Sequence, residues 1–462
     1  MHARRAGEWA LAAAAVATAV VGGLLVRLHT VPDPDLWLHL RIGQVLARGG
    51  TFGLPDPLVS LADRAYSPTQ WLAELLGYRV WEVAGLPGVE VLRDLGVLAL
   101  GACLLFGTRS RAAAQPAAIA AMVALFGSAA GWGERPQLLG LVLFAGVYAA
   151  WLRAVDGRGL PLWVVPSTWV WAGVHGTWVT GIGLGLLVIL GGVLDGRLAY
   201  RRAISLGGVL VAALLAGLMT PLGTAALTEP FRVSAALTGH VNEWQRPSAG
   251  NLLMWAVLLG AILIAFEWFR HGQWSPSRVL LLLTAVVNAL FMVRLIALGA
   301  IMLAPLLAEA LDGQGATRLA VRRRTQLWVW GMAAAVFLGI CLPKALTPSQ
   351  GPLPPSVDQA VASAAPGSTI AVDLRVSGWV LWRFPGQRPL RDLRSELYAP
   401  ATAAAYDRFM SGSTGWDSYA TVHAVRGILV RDASPLARLL AGRRDWQSTA
   451  HEQHWQFWVR SP

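Results

Sequence analysis

Charged side chains are scarce in this chain: 14% of its 462 residues are Asp, Glu, Lys or Arg, while 55% are hydrophobic. With a mean hydropathy of +0.50, that balance excludes an ordinary soluble globule. Cysteine is nearly absent. The two that occur, Cys103 and Cys341, fall within apolar runs and support neither a disulfide framework nor a metal site. Also missing are a Gly-x-x-x-x-Gly-Lys-[Ser/Thr] phosphate loop, a dinucleotide fingerprint after a strand, His-Glu-x-x-His and Cys-x-x-Cys. ATP hydrolysis within the chain is therefore not expected. No internal repeat of fixed period is present.

Apolar runs long enough to cross a hydrocarbon core of about 30 Å are abundant instead. They predict about eleven transmembrane helices, near 9–28, 88–107, 113–131, 137–152, 160–174, 177–194, 203–220, 251–269, 278–293, 295–310 and 326–343. Segment 9–28 starts with Arg4 and Arg5 but has a long apolar stretch and no small-residue cleavage site, so it reads as an uncleaved anchor. Arg4/Arg5, Arg109/Arg111, Arg153/Arg158, Arg197/Arg201/Arg202, Arg270/Arg278 and Arg318/Arg322/Arg323/Arg324 occupy alternate connections. The positive-inside rule assigns these to the cytoplasm, which also accounts for the net charge of +12 without nucleic acid as a partner. The N-terminus is then inside, and the loops 29–87 and 220–250 and the tail 345–462 are outside.

The expected fold class is an all-α polytopic membrane protein with a small C-terminal extracytoplasmic α/β domain. The membrane domain is expected over 1–344, including the external loop 29–87, and the soluble domain over 345–462. Loop 29–87 is expected to hold two amphipathic helices, one over Leu36–Ala47. The other is capped at Ser67, with Pro68 at its first position, and lies at the membrane interface. The tail follows a Pro/Gly/Ser-rich linker, Thr347 to Pro355. Strands are expected at 368–373, 427–431 and 454–460 and helices at 355–364, 401–411 and 434–443.

Asp33 and Asp35 form an Asp-x-Asp pair just after the first span. A carboxylate there can take a proton from an acceptor hydroxyl, and the pair can hold a hard divalent cation such as magnesium or manganese. Alternatively, Asp35 N-caps the helix that follows. His39, one turn further on, can orient Asp35, contact a phosphate or sit as an interfacial polar residue. Glu74, Glu134-Arg135 and His175 are expected on the same membrane face, together with Glu243 and Trp244 of loop 220–250. Arg294 interrupts an apolar stretch, where an arginine faces a cavity or partner, and binding of an anionic lipid phosphate is the favoured reading. In the tail, Asp373, Arg375, Trp379, Arg391, Asp392, Arg394, Glu396 and Tyr398 read as solvated faces and internal ion pairs, or as an acceptor-recognition surface.

An anchor, an outer-face acidic motif, a many-span bundle and an external tail together resemble the glycosyltransferase C (GT-C) superfold. More narrowly, six segments are similar to bacterial membrane proteins related to protein O-mannosyltransferases. They are Asp33-Pro-Asp-Leu-Trp-Leu-His-Leu-Arg-Ile-Gly43, Pro55-Asp-Pro57, Gln70-Trp-Leu-Ala-Glu74, Arg135-Pro-Gln137, Trp171-Ala-Gly-Val-His-Gly176 and Asp392-Leu-Arg-Ser-Glu-Leu-Tyr398. The resemblance implies transfer of a hexose or pentose from a polyprenyl-phosphate-linked donor at the outer face of the bacterial cytoplasmic membrane. It makes Asp35 the acceptor-activating base, Asp33 a supporting or metal-linked carboxylate and Arg294 the donor-phosphate ligand. The mannosyltransferases show adjacent Asp-Glu, whereas Leu36 follows Asp35 here. Two other functions share this topology: a non-catalytic protein that binds or moves a polyprenyl lipid, and a ligase of lipid-linked glycans.

Overall fold

The computed structural model describes residues 2–28, 33–237, 242–313, 323–346 and 351–461. Arg318, Arg322, His240 and linker residues 347–350 lie outside this set. The helices are α1 (His2–Leu28), α2 (Pro34–Ala47), α3 (Trp71–Arg109), α4 (Ala114–Ser128), α5 (Pro136–Val155), α6 (Val164–Val174), α7 (Trp178–Leu194), α8 (Tyr200–Leu218), α9 (Ala225–Leu237), α10 (Leu252–His271), α11 (Pro276–Phe291), α12 (Ile296–Asp312) and α13 (Arg323–Ala345). The tail follows as α14 (Pro355–Ser363), β1 (Thr369–Val372), α15 (Leu374–Arg383), β2 (Arg388–Pro389), α16 (Pro400–Met410), α17 (Trp416–Val422), β3 (Val425–Arg431), α18 (Pro435–Ala441), β4 (Trp446–Glu452) and β5 (Trp455–Arg460). Two compact units result. One holds residues 1–31, 84–231 and 238–347, and the other holds 32–83, 232–237 and 348–462.

The first unit is helical and apolar, as expected of a membrane protein. Among the described residues, six helical stretches are long and apolar enough to cross a bilayer: Ala114–Gly131, Pro136–Val155, Tyr200–Leu218, Leu252–His271, Val293–Asp312 and Trp328–Ala345. Four shorter apolar helices, Ala15–Arg27, Val164–Val174, Trp178–Leu194 and Pro276–Phe291, coincide with four more of the expected spans. The remaining one, 88–107, forms the second part of α3, and its first turns bury Glu90, Arg93 and Asp94. Helix α12 is almost wholly buried against α4, α10 and α11, because its Ala- and Gly-rich surface permits close helix approach. Connection 220–250 is not a plain loop. It contains α9 and a 3₁₀ turn, Asn242–Trp244.

The second unit places the tail on a five-stranded sheet of order β2-β1-β3-β5-β4. Strand β1 runs parallel to β2 and β3, with α15 as the crossover between β1 and β2, while β3, β5 and β4 are antiparallel. Alternation along the strands fills both faces. Ile370, Val372 and Leu429 pack with Val357, Val361 and Val380 on one side, while Ala371, Ile428 and Val430 pack with Tyr406, Phe409 and Leu436 on the other.

Residues 32–83 group with this tail rather than with the membrane helices, which differs from the boundary expected from sequence. The reason is long-range pairing. Helix α2 packs on α15, and the Ser60 and Leu61 amides donate to the Pro389 and Leu390 carbonyls. Leu38, Ile42, Leu58 and Val59 share a core with Leu381, Leu397 and Tyr398. The helix expected to be capped by Ser67 instead begins at Trp71, because Thr69 and Trp71 donate to the Ser67 and Pro68 carbonyls in a preceding turn. It is broken at Gly85, whose φ of 60° and ψ of −156° no helix accommodates.

Candidate functional site

In the second unit, Asp33 rather than Asp35 caps α2. Its Oδ1 accepts the Asp35 amide at 3.0 Å while Pro34 fills the first helical position. This removes the alternative reading in which Asp35 is the cap and leaves Asp35 in the first turn, where its negative charge also suits the helix dipole. His39 lies one turn beyond Asp35, but it pairs with Glu74. Imidazole Nδ1 and Glu74 Oε1 are 3.0 Å apart, with the Glu74 side chain fully buried and that of His39 17% exposed. The orienting role expected between His39 and Asp35 therefore passes to Glu74. Gly43 makes the pairing possible: a Cβ there would lie 2.1 Å from the Glu74 carbonyl oxygen, so only glycine lets α2 and α3 approach this closely.

Two segments that carry the family resemblance have a structural explanation in this unit. Asp56 Oδ1 accepts the Leu58 and Val59 amides at 2.8 and 3.1 Å, and its two oxygens take the Arg394 fork at 2.9 and 3.0 Å. Arg394 also binds Asp392, and the Tyr398 hydroxyl donates to Asp392 at 3.0 Å. Burial opposes the charge on Arg394, but Asp392 and Asp56 outweigh it and raise its pKa. Burial and then the Asp392 charge push the Tyr398 hydroxyl well above its usual value, so it remains a donor. Arg391 pairs with Asp407 and Arg375 with Asp373. Internal ion pairs thus account for most of the polar tail cluster.

The first unit brings Arg135, His175, Glu243, Trp244 and Arg294 together. Arg294 sits in a 3₁₀ turn, Val293–Leu295, formed because Met292 is extended between α11 and α12. The Val293 amide donates to the Gln245 carbonyl at 3.0 Å, which ties this turn to Asn242–Trp244. Arg294 donates to Glu243 Oε1 at 3.3 Å and to His175 Nε2 at 2.9 Å, and its guanidinium lies 5.0 Å from the Trp244 ring centroid. Arg135, at the start of α5, donates to the same Glu243 oxygen at 3.2 Å.

Nδ1 of His175 accepts the Thr177 amide at 3.2 Å and lies 2.9 Å from Thr177 Oγ1, so the turn holds the ring from the side opposite Arg294. Gly140 leaves room for this turn, because a Cβ there would meet Thr177 Oγ1 at 2.8 Å and His175 Cβ at 3.1 Å. Arg135 and Arg294 thus meet at one carboxylate oxygen, and guanidiniums so placed can also bind an anion.

Glu134, expected among the substrate ligands, is bound to Arg93, which also donates to Asp94 at 2.8 and 3.0 Å. Glu90, Arg93 and Asp94 were not anticipated from sequence. Their signal was three charges within five residues at the head of an otherwise apolar run. Among the described residues, no group of three or more His, Cys, Asp or Glu side chains converges as a metal would require. One oxygen of Asp33 is already committed to the helix cap. Among the described residues, the donor set therefore does not fit a resident magnesium or manganese.

No protein-family model and no curated protein matches the sequence. Solved structures do. The archaeal oligosaccharyltransferase AglB from Archaeoglobus fulgidus, in complex with an inhibitory peptide and a dolichol-phosphate, is similar with a TM-score of 0.56 at 13% identity, over 94% of this chain and 70% of that one. The apo form of the Archaeoglobus fulgidus oligosaccharyltransferase gives 0.52 at 11% identity, over 90% and 69%. ArnT from Cupriavidus metallidurans in the apo state gives 0.50 at 14% identity, over 95% of this chain and 96% of that one. AglB and ArnT are GT-C glycosyltransferases. The chain is thus a polytopic membrane protein with the GT-C fold.

Proposed function

We propose that this chain is a glycosyltransferase that moves a hexose or pentose from a polyprenyl-phosphate donor to an acceptor at the outer face of the bacterial cytoplasmic membrane. In this reading the N-terminus is cytoplasmic and the C-terminal α/β part extracytoplasmic, as the arginine distribution suggests. The observation that carries the reading is the Arg294 cluster: a guanidinium that shares Glu243 with Arg135 and meets an imidazole and an indole, set between apolar helices. Such donors suit a lipid-borne phosphate. The dolichol-phosphate held by the similar AglB supports the same donor class.

The reaction is a single displacement. An acceptor oxygen bonds to the anomeric carbon as the carbon–oxygen bond to phosphate breaks, and the acceptor proton passes to the Asp35 carboxylate. Arg294 stabilises the charge that develops on the departing lipid phosphate.

Mass spectrometry of lipids that copurify with the full chain will identify the donor, and transfer is then measured with that lipid. Because Asp33 supplies the cap, Asp35→Asn removes a base without removing a helix cap. We expect lipid binding to persist and turnover to fall by roughly 10²- to 10⁴-fold. Full transfer by Asp35→Asn would overturn the assignment of Asp35. Lipid binding with no transfer by wild type would instead favour a lipid-binding protein.

A further inference from the structure

Helix α2 and its C-terminal cap carry two arginines that no carboxylate claims. Arg41, Gln44 and Arg48 follow one another at intervals of three and four residues and so line one face of the helix. Arg41 is half-buried, and its Nη1 donates to the neutral Gln44 Oε1. Its Nε is buried without a hydrogen-bond partner among the described residues, while its Nη2, equally unpartnered, is accessible. Arg48 is exposed, and its guanidinium makes no ion pair or hydrogen bond among the described residues. Buried arginines elsewhere in this unit have an acid, as Arg394 has Asp56 and Arg391 has Asp407. Burial and then the Arg48 charge lower the Arg41 pKa, with Tyr78 opposing. The Glu82 carboxylate on α3, whose charge Arg48 also feels, is held by Arg79 at 2.7 Å. The Arg41–Arg48 pair therefore lacks a counter-ion of its own.

The first part of α3 adds exposed apolar groups. Leu76 and Val83, seven residues apart on one face, are 43% and 89% exposed. The chain runs on from Val83 into the span expected at 88–107. Exposed apolar side chains interleaved with arginine suit the boundary between lipid headgroups and acyl chains.

We propose that Arg41 and Arg48 seat the phosphate of an anionic phospholipid, which fastens α2 and the first turns of α3 to the membrane surface. A phosphodiester has two non-bridging oxygens, one for the accessible Arg41 Nη2 and one for Arg48. Its charge supplies the anion that the pair lacks, and its acyl chains cover Leu76 and Val83. A zwitterionic lipid brings its own cation to two arginines and is the poorer fit. The inference needs only the membrane and stands apart from the donor reading.

The test uses the full chain in nanodiscs that mix phosphatidylcholine and phosphatidylglycerol, with a photoactivatable group beside the phosphate of one lipid or the other. Crosslinks are mapped by mass spectrometry. Over residues 36–50, phosphatidylglycerol should crosslink at least about fivefold more than phosphatidylcholine, the factor expected for one arginine at an anionic headgroup. Arg41→Gln together with Arg48→Gln should remove that preference. Gln44→Glu should remove it without taking away either cation, because a glutamate three residues from Arg41 and four from Arg48 supplies the missing carboxylate from within the helix. That variant should melt no lower than wild type, and the neutral Gln44→Met should keep the preference. Inorganic phosphate, added against chloride of equal ionic strength, should leave the crosslinks unchanged.

Equal crosslinking of 36–50 by the two lipids, or a folded Gln44→Glu chain that keeps the preference, overturns the seat. Crosslinks displaced by inorganic phosphate overturn the lipid as its occupant.

Discussion

Replacing Asp56 by asparagine isolates what the Arg394 network contributes. The side chains of Asp56 and Asp392 are fully buried and that of Arg394 is 3% exposed, so solvent screens these charges little. Asparagine can still accept the Leu58 and Val59 amides through its carbonyl oxygen, but its NH₂ then faces an Arg394 donor. The guanidinium also loses one of its two carboxylates. Breaking a buried pair from one side costs about 3 to 5 kcal/mol, and because Asp392 remains, the lower end applies. At about 2 to 4 °C per kcal/mol for folded units of roughly 150 to 250 residues, melting should fall by about 6 to 12 °C. Hydrogen exchange on the full chain in detergent should show faster exchange at Leu58 and Val59 and at 392–398. Arg394→Lys, which keeps the charge but loses the fork, should produce a smaller loss. If Asp56→Asn melts within about 1 °C of wild type with these amides still protected, the network does not hold residues 32–83 against the tail.

Other substitutions probe closeness and compensation. Gly43→Ala should destabilise the contact between α2 and α3 by about 3 kcal/mol or more, because the new Cβ meets backbone rather than a movable side chain. Oxidative crosslinking of His39→Cys with Glu74→Cys should then drop in the Gly43→Ala background, and undiminished crosslinking would show that the helices tolerate the methyl group. Arg93→Leu should cost about 3 to 5 kcal/mol by removing the guanidinium that pairs with the buried Asp94 and Glu134 carboxylates. Adding Glu134→Gln should recover part of that loss in thermal melting, and a single variant as stable as wild type would contradict the compensation.

Much of the architecture was legible because it is written locally. Span-length apolar runs, alternate arginine-bearing connections and β-branched segments in the tail each depend on neighbouring residues. They led to a helical membrane protein with a small terminal sheet and to the GT-C resemblance. Local reading misplaced what depends on exact termination. Asp33 rather than Asp35 caps α2, since Pro34 takes the first helical position. Ser67 lost its expected capping role to a turn that delays the helix to Trp71. Segment 220–250 read as a connection because its helix, α9, contains Pro230 and several polar residues.

By itself, the sequence determined that the chain enters a bilayer and that Arg294 interrupts an apolar stretch, because hydrophobicity and its interruption are properties of contiguous residues. Only the tertiary structure decided who partners whom. Glu74 rather than Asp35 binds His39, Arg93 claims Glu134, and Arg394 reaches back to Asp56. Arg294 finds His175 from another helix end, and two arginines share Glu243. Those choices follow from packing. A buried charge takes whichever opposite charge the close approach of helices brings within reach, and sequence distance does not encode that approach.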